Sequence, residues 1–251
     1  MLIELAEEAQ RPAAAPRPPA EPLLRLEHIS LSFGGVHAVS DISFAVQRGE
    51  ILSVIGPNGA GKSSLLNVIN GVYRPQQGRV EFDGQELPRI APELAARLGI
   101  ARTFQNLALF KGMSVLDNVI AGRNLQMHQP FWAHALRTPG ARREEARQRE
   151  FADAVLVSLQ IEAHRDTPVG KLPYGLQKRV ELARALASEP RLLLLDEPMA
   201  GMNTAEKHDM SRFIVETNRR TGLTVVLIEH DMGVVMDVSD RVVVLDYGRK
   251  I

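Results

Sequence analysis

The sequence predicts an α/β fold: a central, mainly parallel sheet buried between helices, a small antiparallel β layer ahead of it, and a helical subdomain inserted into it. Three patterns predict this. Short apolar blocks at residues 51–55, 100–103, 192–195, 224–228 and 242–245 are each flanked by polar or helical sequence, as strands covered on both faces are. Residues 23–33, 42–46 and 78–82 instead mix or alternate β-forming residues between Gly-rich turns, the pattern of an antiparallel layer. Between Asn106 and Lys171 the apolar spacing turns helical.

In chain order, residues 1–22 read as a disordered Pro/Ala-rich leader, because residues 11–22 hold five prolines and almost nothing apolar beyond Ala. The acidic start, with Glu4, Glu7 and Glu8, predicts no secretory signal. A single domain is expected over residues 23–251, with the helical subdomain at about 106–188. Within that insertion Ser114 is placed to cap a helix over 115–122, and 142–159 read as a long amphipathic helix. Its Arg-rich part, 142–149, reads as a solvated face carrying Glu144–Gln148 and Glu145–Arg149 at i,i+4.

Composition excludes several classes of function. Thirty basic and thirty acidic residues cancel, so the chain lacks the polyelectrolyte field that supplies most non-specific nucleic-acid affinity. A bilayer crossing needs about 20 apolar residues, and no run in the sequence approaches that. With no cysteine there are no disulfides and no thiolate metal site.

The strongest chemical signal is Gly56-Pro57-Asn58-Gly59-Ala60-Gly61-Lys62-Ser63, a G-x-x-x-x-G-K-[ST] loop complete at every fixed position. A predicted buried strand precedes it and a helix beginning around Ser64 follows. Backbone N–H groups and the positive helix end therefore converge where phosphates would lie, and the glycines let the backbone approach an anion without a Cβ in the way. Lys62 would reach the β- and γ-phosphates, and the Ser63 hydroxyl would ligate Mg²⁺. The second element, Leu192 to Asp196-Glu197, is an apolar strand ending in paired carboxylates. Asp196 is placed to bind Mg²⁺ and Glu197 to polarise the attacking water. ATP and Mg²⁺ are the expected cofactors.

A P-loop alone leaves kinases, GTPases and helicases open. The segment Leu172-Pro173-Tyr174-Gly175-Leu176-Gln177, continuing through Lys178-Arg179 to Leu186 just upstream of the Asp-Glu strand, resembles the signature and signature helix of the ABC ATPases. The other landmarks of that family fall in order: Phe33, Gln105 in Arg-Thr-Phe-Gln, Gly201-Met202-Asn203 after the paired carboxylates, and His230 after the strand 224–228. The resemblance covers residues 23–251 and implies a P-loop NTPase core of the ABC ATPase type. It further implies that Phe33 stacks on adenine and that Gln105 senses Mg²⁺ and the γ-phosphate. His230 would hold the γ-phosphate and attacking water, and Gly201, Met202 and Asn203 would form a dimer loop. The signature would act in trans, on ATP held by a second ABC ATPase subunit. Two membrane permease subunits, docked near residues 107–119, and indirectly a periplasmic solute-binding protein complete the implied assembly. Nucleic acid is not an expected partner, and the implied location is peripheral, at the cytoplasmic face of the inner or plasma membrane.

Closer still, Phe33-Gly34-Gly35-Val36, Arg102-Thr103-Phe104-Gln105-Asn106 and Ile228-Glu229-His230-Asp231-Met232 resemble the ATPase subunits of branched-chain amino acid importers, which implies that cargo. The alternatives are an ABC ATPase for amides, urea, aromatic acids or lipopolysaccharide export, or a non-transport ABC ATPase. Chromosome-type relatives need a long coiled coil between P-loop and signature, and translation-associated ones carry two heads; neither feature is present in the sequence. Two positions depart from the signature: its usual Ser is Pro173 and its usual Gln is Leu176. Pro173 removes a hydroxyl donor and a backbone N–H, so the site completed by this signature is expected to hydrolyse ATP more slowly, with Gly175 leaving the helix tip accessible. Asn203, where many relatives carry Asp, keeps hydrogen bonding and drops a charge.

Overall fold

The computed structural model describes residues 21–103, 107–127, 129–130, 133 and 136–251. The expected leader (except residues 21 and 22), Gln105 and the aromatic pair Phe131-Trp132 lie outside the described residues.

The antiparallel layer forms from β1 (Leu24–Phe33), β2 (Val36–Val46), β4 (Gln77–Phe82) and β5 (Gln85–Glu86), in the order β2-β1-β4-β5. Gly34 and Gly35, with φ of 51° and 87°, make the two-residue turn between β1 and β2. Such a turn needs positive φ at both central positions to match the twist of the strands.

The larger sheet runs β10-β9-β3-β8-β7-β6, with β3 (Ile51–Ile55), β6 (Ile100–Arg102), β7 (Leu192–Asp196), β8 (Thr224–Ile228) and β9 (Arg241–Asp246) mutually parallel. The two-residue β10 (Arg249–Lys250) folds back antiparallel on β9. All five apolar blocks are therefore strands of one sheet, and their residues divide between its faces. Leu192, Leu194, Val226 and Ile228 pack with the antiparallel layer and α1 (Lys62–Ile69), while Leu193, Leu195, Val225 and Leu227 pack with the helices on the other side. Each such leucine or isoleucine contributes roughly 1.5–3 kcal/mol on burial, which is why these strands are apolar throughout instead of alternating.

The insertion contains α3 (Val115–Ala121) and α4 (Pro139–Ser158), packed on α5 (Tyr174–Ala187); the short α2 (Pro92–Arg97) precedes β6. Ser114 caps α3, its hydroxyl accepting the Asp117 N–H at 3.0 Å. α4 starts earlier than the periodicity indicates, because Thr138 caps it and Pro139 occupies its first turn. Its Arg-rich part is only partly a solvated face, a correction to the sequence reading. Glu145 and Arg149 are exposed and pair at 3.6 Å, but Glu144 and Gln148 are buried. Glu144 accepts the Gln129 N–H at 3.1 Å. Gln148 accepts from Arg123, a buried guanidinium stacked 3.8 Å over the Phe151 ring, and donates to the Gln126 carbonyl. Polar residues face inward here because a second buried polar group needs partners.

α6 (Thr204–Thr221) and α7 (Met232–Val238) complete the fold. Among the described residues no helix is long and apolar enough to cross a membrane. The parallel strands β3, β7 and β8 all end at one edge of the sheet, where ligands bind in open α/β folds. The loop 56–61 follows β3, Glu197 follows β7, and Glu229-His230 follows β8.

Candidate active site

The loop 56–61 wraps tightly because Gly56 and Gly61 sit where no side chain fits. With φ of 150° and 95°, Cβ atoms there would lie 2.1 Å from the Leu245 carbonyl oxygen and 2.2 Å from that of Ala38. The second contact ties the loop to β2 and so to the hairpin carrying Phe33. Ala60 is buried, while Pro57, Asn58, Gly59 and Ser63 are exposed and Ser64 is half-buried on the first turn of α1. Lys62 is 6% exposed, and its Nζ donates to the carbonyls of Gly56 and Pro57 at 2.7 and 2.9 Å. Burial pulls its amine below the ordinary lysine value, opposed by the negative charges of Glu197 and then Asp196. Lysine, P-loop and both carboxylates thus share one region.

Asp196 is buried at the end of β7, where its Oδ2 accepts from Arg102 at 2.9 Å. The other arm of that guanidinium reaches Asn67 on α1. Sequence reasoning gives neither Arg102 nor Asn67 a role, since the ion pair joins residues 94 positions apart. Glu197 has φ of 50°, a left-handed conformation uncommon for a residue with a side chain, and its N–H donates to the Ile228 carbonyl at 3.0 Å. Its Oε1 lies 2.6 Å from His230 Nε2. The structure therefore brings Lys62, Asp196, Glu197 and His230 together.

Phe33 is 45% exposed at the end of β1 and meets Tyr73 edge to face, with ring centroids 5.0 Å apart. Tyr73 is a further aromatic that the sequence does not single out. No group of three or more His, Asp or Glu residues among the described ones is arranged to hold a metal. Mg²⁺ uses one or two protein oxygens and takes the rest from water and phosphates, so a hydroxyl and a carboxylate are the donors to look for. Ser63 and Asp196 are of the right chemistry.

The expected signature begins α5. Pro173 occupies the N-cap position with no side-chain cap, Leu172 is buried, Leu176 is half-buried, and Gln177 Nε2 donates to the Leu172 carbonyl at 2.8 Å. Gly175 does not leave the tip open in the way its lack of a side chain suggests: Glu206 covers it, and a Cβ there would fall 2.2 Å from Glu206 Oε1. The exposed residues of the tip are Pro173 and Tyr174. Tyr174 leans on Gly201, whose Cβ would lie 3.1 Å from the ring. Met202 is buried beside it. Asn203 caps α6 in a reciprocal box, its Oδ1 accepting the Glu206 N–H and its own N–H donating to Glu206 Oε2, each at 3.0 Å. Asn and Asp cap equally well, which accounts for the neutral residue at this position.

The family model described as ABC transporter matches residues 39–200. The chain is 37% identical over 229 residues to the high-affinity branched-chain amino acid transport ATP-binding protein BraF of Pseudomonas aeruginosa, covering 91% of this chain and 90% of that protein. It is 35% identical over the same span and coverage to the protein of the same description, LivG, of Escherichia coli strain K12. Among solved structures, a nucleotide-free ATP-binding cassette from an ABC transporter superposes with a TM-score of 0.79 at 33% identity, over 92% of this chain and 90% of that one. A dimeric ATP-binding cassette in a post-hydrolysis state with ADP and Pi gives a TM-score of 0.75 at 25% identity, over 91% and 97%.

Proposed function

Because this chain belongs to the ABC transporter family, as an ATP-binding and ATP-hydrolysing subunit, we propose that it energises the import of branched-chain amino acids. In this reading the exposed loop 57–59 and the first turn of α1 cradle the triphosphate, Lys62 neutralises its terminal oxygens, and Phe33 backs the adenine. Ser63 and Asp196, with Gln105, would hold Mg²⁺. The ion would polarise the phosphoryl oxygens and spread the charge that develops on them. Glu197 takes the proton of the attacking water, and His230, in contact with it, holds the γ-phosphate end of the site.

Residues 172–177 act on the nucleotide of a second ABC ATPase subunit, with Gly201, Met202 and Asn203 at the contact; the dimeric cassette that this fold resembles supports such an arrangement. Two membrane permease subunits and a periplasmic solute-binding protein complete the importer, which places the chain peripherally on the cytoplasmic side of the membrane. The names of the relatives support the cargo.

The observation that carries the catalytic reading is the 2.6 Å contact between Glu197 and His230 beside Lys62 and Asp196. Glu197→Gln should lower turnover about 10²- to 10⁴-fold while MgATP still binds; hydrolysis at the parent rate would remove Glu197 as the base. For the cargo, the chain purified with its permease subunits should show ATPase activity stimulated by leucine, isoleucine or valine with the cognate binding protein. Stimulation by an unrelated solute alone would overturn that assignment.

A further inference from the structure

β8 ends at Ile228, and the next residue turns its side chain inward. Glu229 is 5% exposed, although His230 beside it reaches solvent. Its two carboxylate oxygens are divided between two parts of the chain: Oε1 accepts the N–H of Met199 at 2.9 Å, and Oε2 accepts the N–H of His230 at 3.2 Å. Met199 is itself buried and follows Glu197 by two residues. One carboxylate therefore joins the turn that presents Glu197 to the residue whose imidazole meets Glu197 at 2.6 Å.

Such a group is costly where it sits. Burial raises the Glu229 carboxyl above the ordinary glutamate value; the Met199 and His230 N–H groups oppose that, Glu197 adds to it, and His230 opposes it. An apolar residue would carry no such penalty. What the carboxylate supplies, and an apolar side chain lacks, is two acceptors on a short rigid arm. The need for restraint is visible at Glu197, whose left-handed backbone persists only where its surroundings fix it. A pair of reacting groups must also be held to about 0.5 Å by the residues behind it.

We propose that Glu229 is a positioning residue for ATP hydrolysis, clamping the turn after Glu197 and the backbone of His230 at the separation where their side chains meet. The inference rests on the catalytic reading of that pair. A glutamine at this position supplies one carbonyl oxygen, so it accepts one of the two N–H groups and turns an NH₂ donor towards the other. Glu229→Gln thus opens one side of the clamp with almost no change in volume.

The test uses the full chain, copurified with the subunits it assembles with, and compares the parent with E229Q, H230A and E229Q/H230A. MgATP turnover is normalised to bound nucleotide. E229Q should lower kcat at least tenfold with KM for MgATP within about twofold, because the clamp lies behind the reacting groups and not on the phosphate cradle. Since part of its effect passes through His230, the two losses should combine less than multiplicatively. A parental kcat in E229Q with an inactive H230A overturns the proposal and leaves the catalytic reading standing; full multiplication of the two losses also overturns it. A parental rate in H230A defeats the reading of the pair itself. Should E229Q not fold, Glu229→Asp, which keeps the charge but shortens the arm by one methylene, carries the same kcat comparison.

Discussion

Gly175 stands on the first turn of α5 without a positive φ, and an alanine there would meet Glu206 at 2.2 Å from Oε1 and 2.5 Å from Cδ. The clash is relieved if the carboxylate swings away, but it then gives up the 3.0 Å bond from the Asn203 N–H, half of the capping box on α6. Losing that bond costs about 0.5–1.5 kcal/mol, and crowding a packed contact adds about 1–3 kcal/mol. Against this, Ala is better than Gly in a helix by up to about 1 kcal/mol. Gly175→Ala should therefore destabilise the parent chain by about 0.5–4.5 kcal/mol, or roughly 1–18 °C in Tm for a chain of this size. Once Glu206→Ala has removed the carboxylate, only the helix-propensity gain is left, so the same substitution should be neutral or stabilising. Urea unfolding of the four chains measures the cycle. Equal destabilisation by Gly175→Ala in both backgrounds would refute the packing of signature on Glu206.

Three further outcomes follow from individual contacts. Arg102→Leu leaves Asp196 buried without its guanidinium and should cost about 3–5 kcal/mol in urea unfolding; Arg102→Lys should recover part of it, since the charge returns but the fork that also reaches Asn67 does not. Asp231 is held below the ordinary aspartate value, first by the hydrogen bond from Lys207 at 2.7 Å and next by the Val234 N–H. A lowered folded value gives stability that is present above the unfolded value of about 3.9 and lost as pH falls through the folded one. Asp231→Asn should therefore melt below the parent at neutral pH and together with it in acid. Pro173→Ser restores a hydroxyl and a backbone N–H at the tip of α5, and should raise the turnover of the assembled ATPase; an unchanged rate removes the explanation of a slow site by Pro173.

The fold was legible where one local pattern had one physical meaning. The run from Leu192 to Leu195 is apolar at every position because its residues pack alternately into the two cores on either side of the sheet, and no exposed strand or surface helix produces that pattern. The loop 56–63 was equally legible, because Gly56 and Gly61 answer to close backbone contacts and no other residue type does. What escaped the sequence was pairwise and long-range. Nothing local marks Arg102 as the partner of Asp196, or Glu229 as the acceptor for Met199, until β6, β7 and β8 lie side by side. Glu144 and Gln148 misled for the complementary reason: at i,i+4 they match an exposed polar face, and only the positions of Gln129 and Arg123 turn them inward.

The start of α6 joins two functional regions that are far apart in the chain. Glu206 lies against Gly175 of the signature, and its neighbour Lys207 holds Asp231 at 2.7 Å, one residue beyond His230. Both residues are anchored to Asn203, Glu206 through the capping box and Lys207 through its N–H to the Asn203 carbonyl at 2.9 Å. A capped helix of 18 residues moves as a body, because bending its first turn would break the bonds that satisfy its leading N–H groups. Displacing Asn203 along the axis of α6 must therefore either break the Lys207–Asp231 pair or carry the His230 segment with it, and the same displacement moves the carboxylate under the signature. The pair is part-exposed and so worth little in stability; what it supplies is a direct link between the first turn of α6 and the residue after His230.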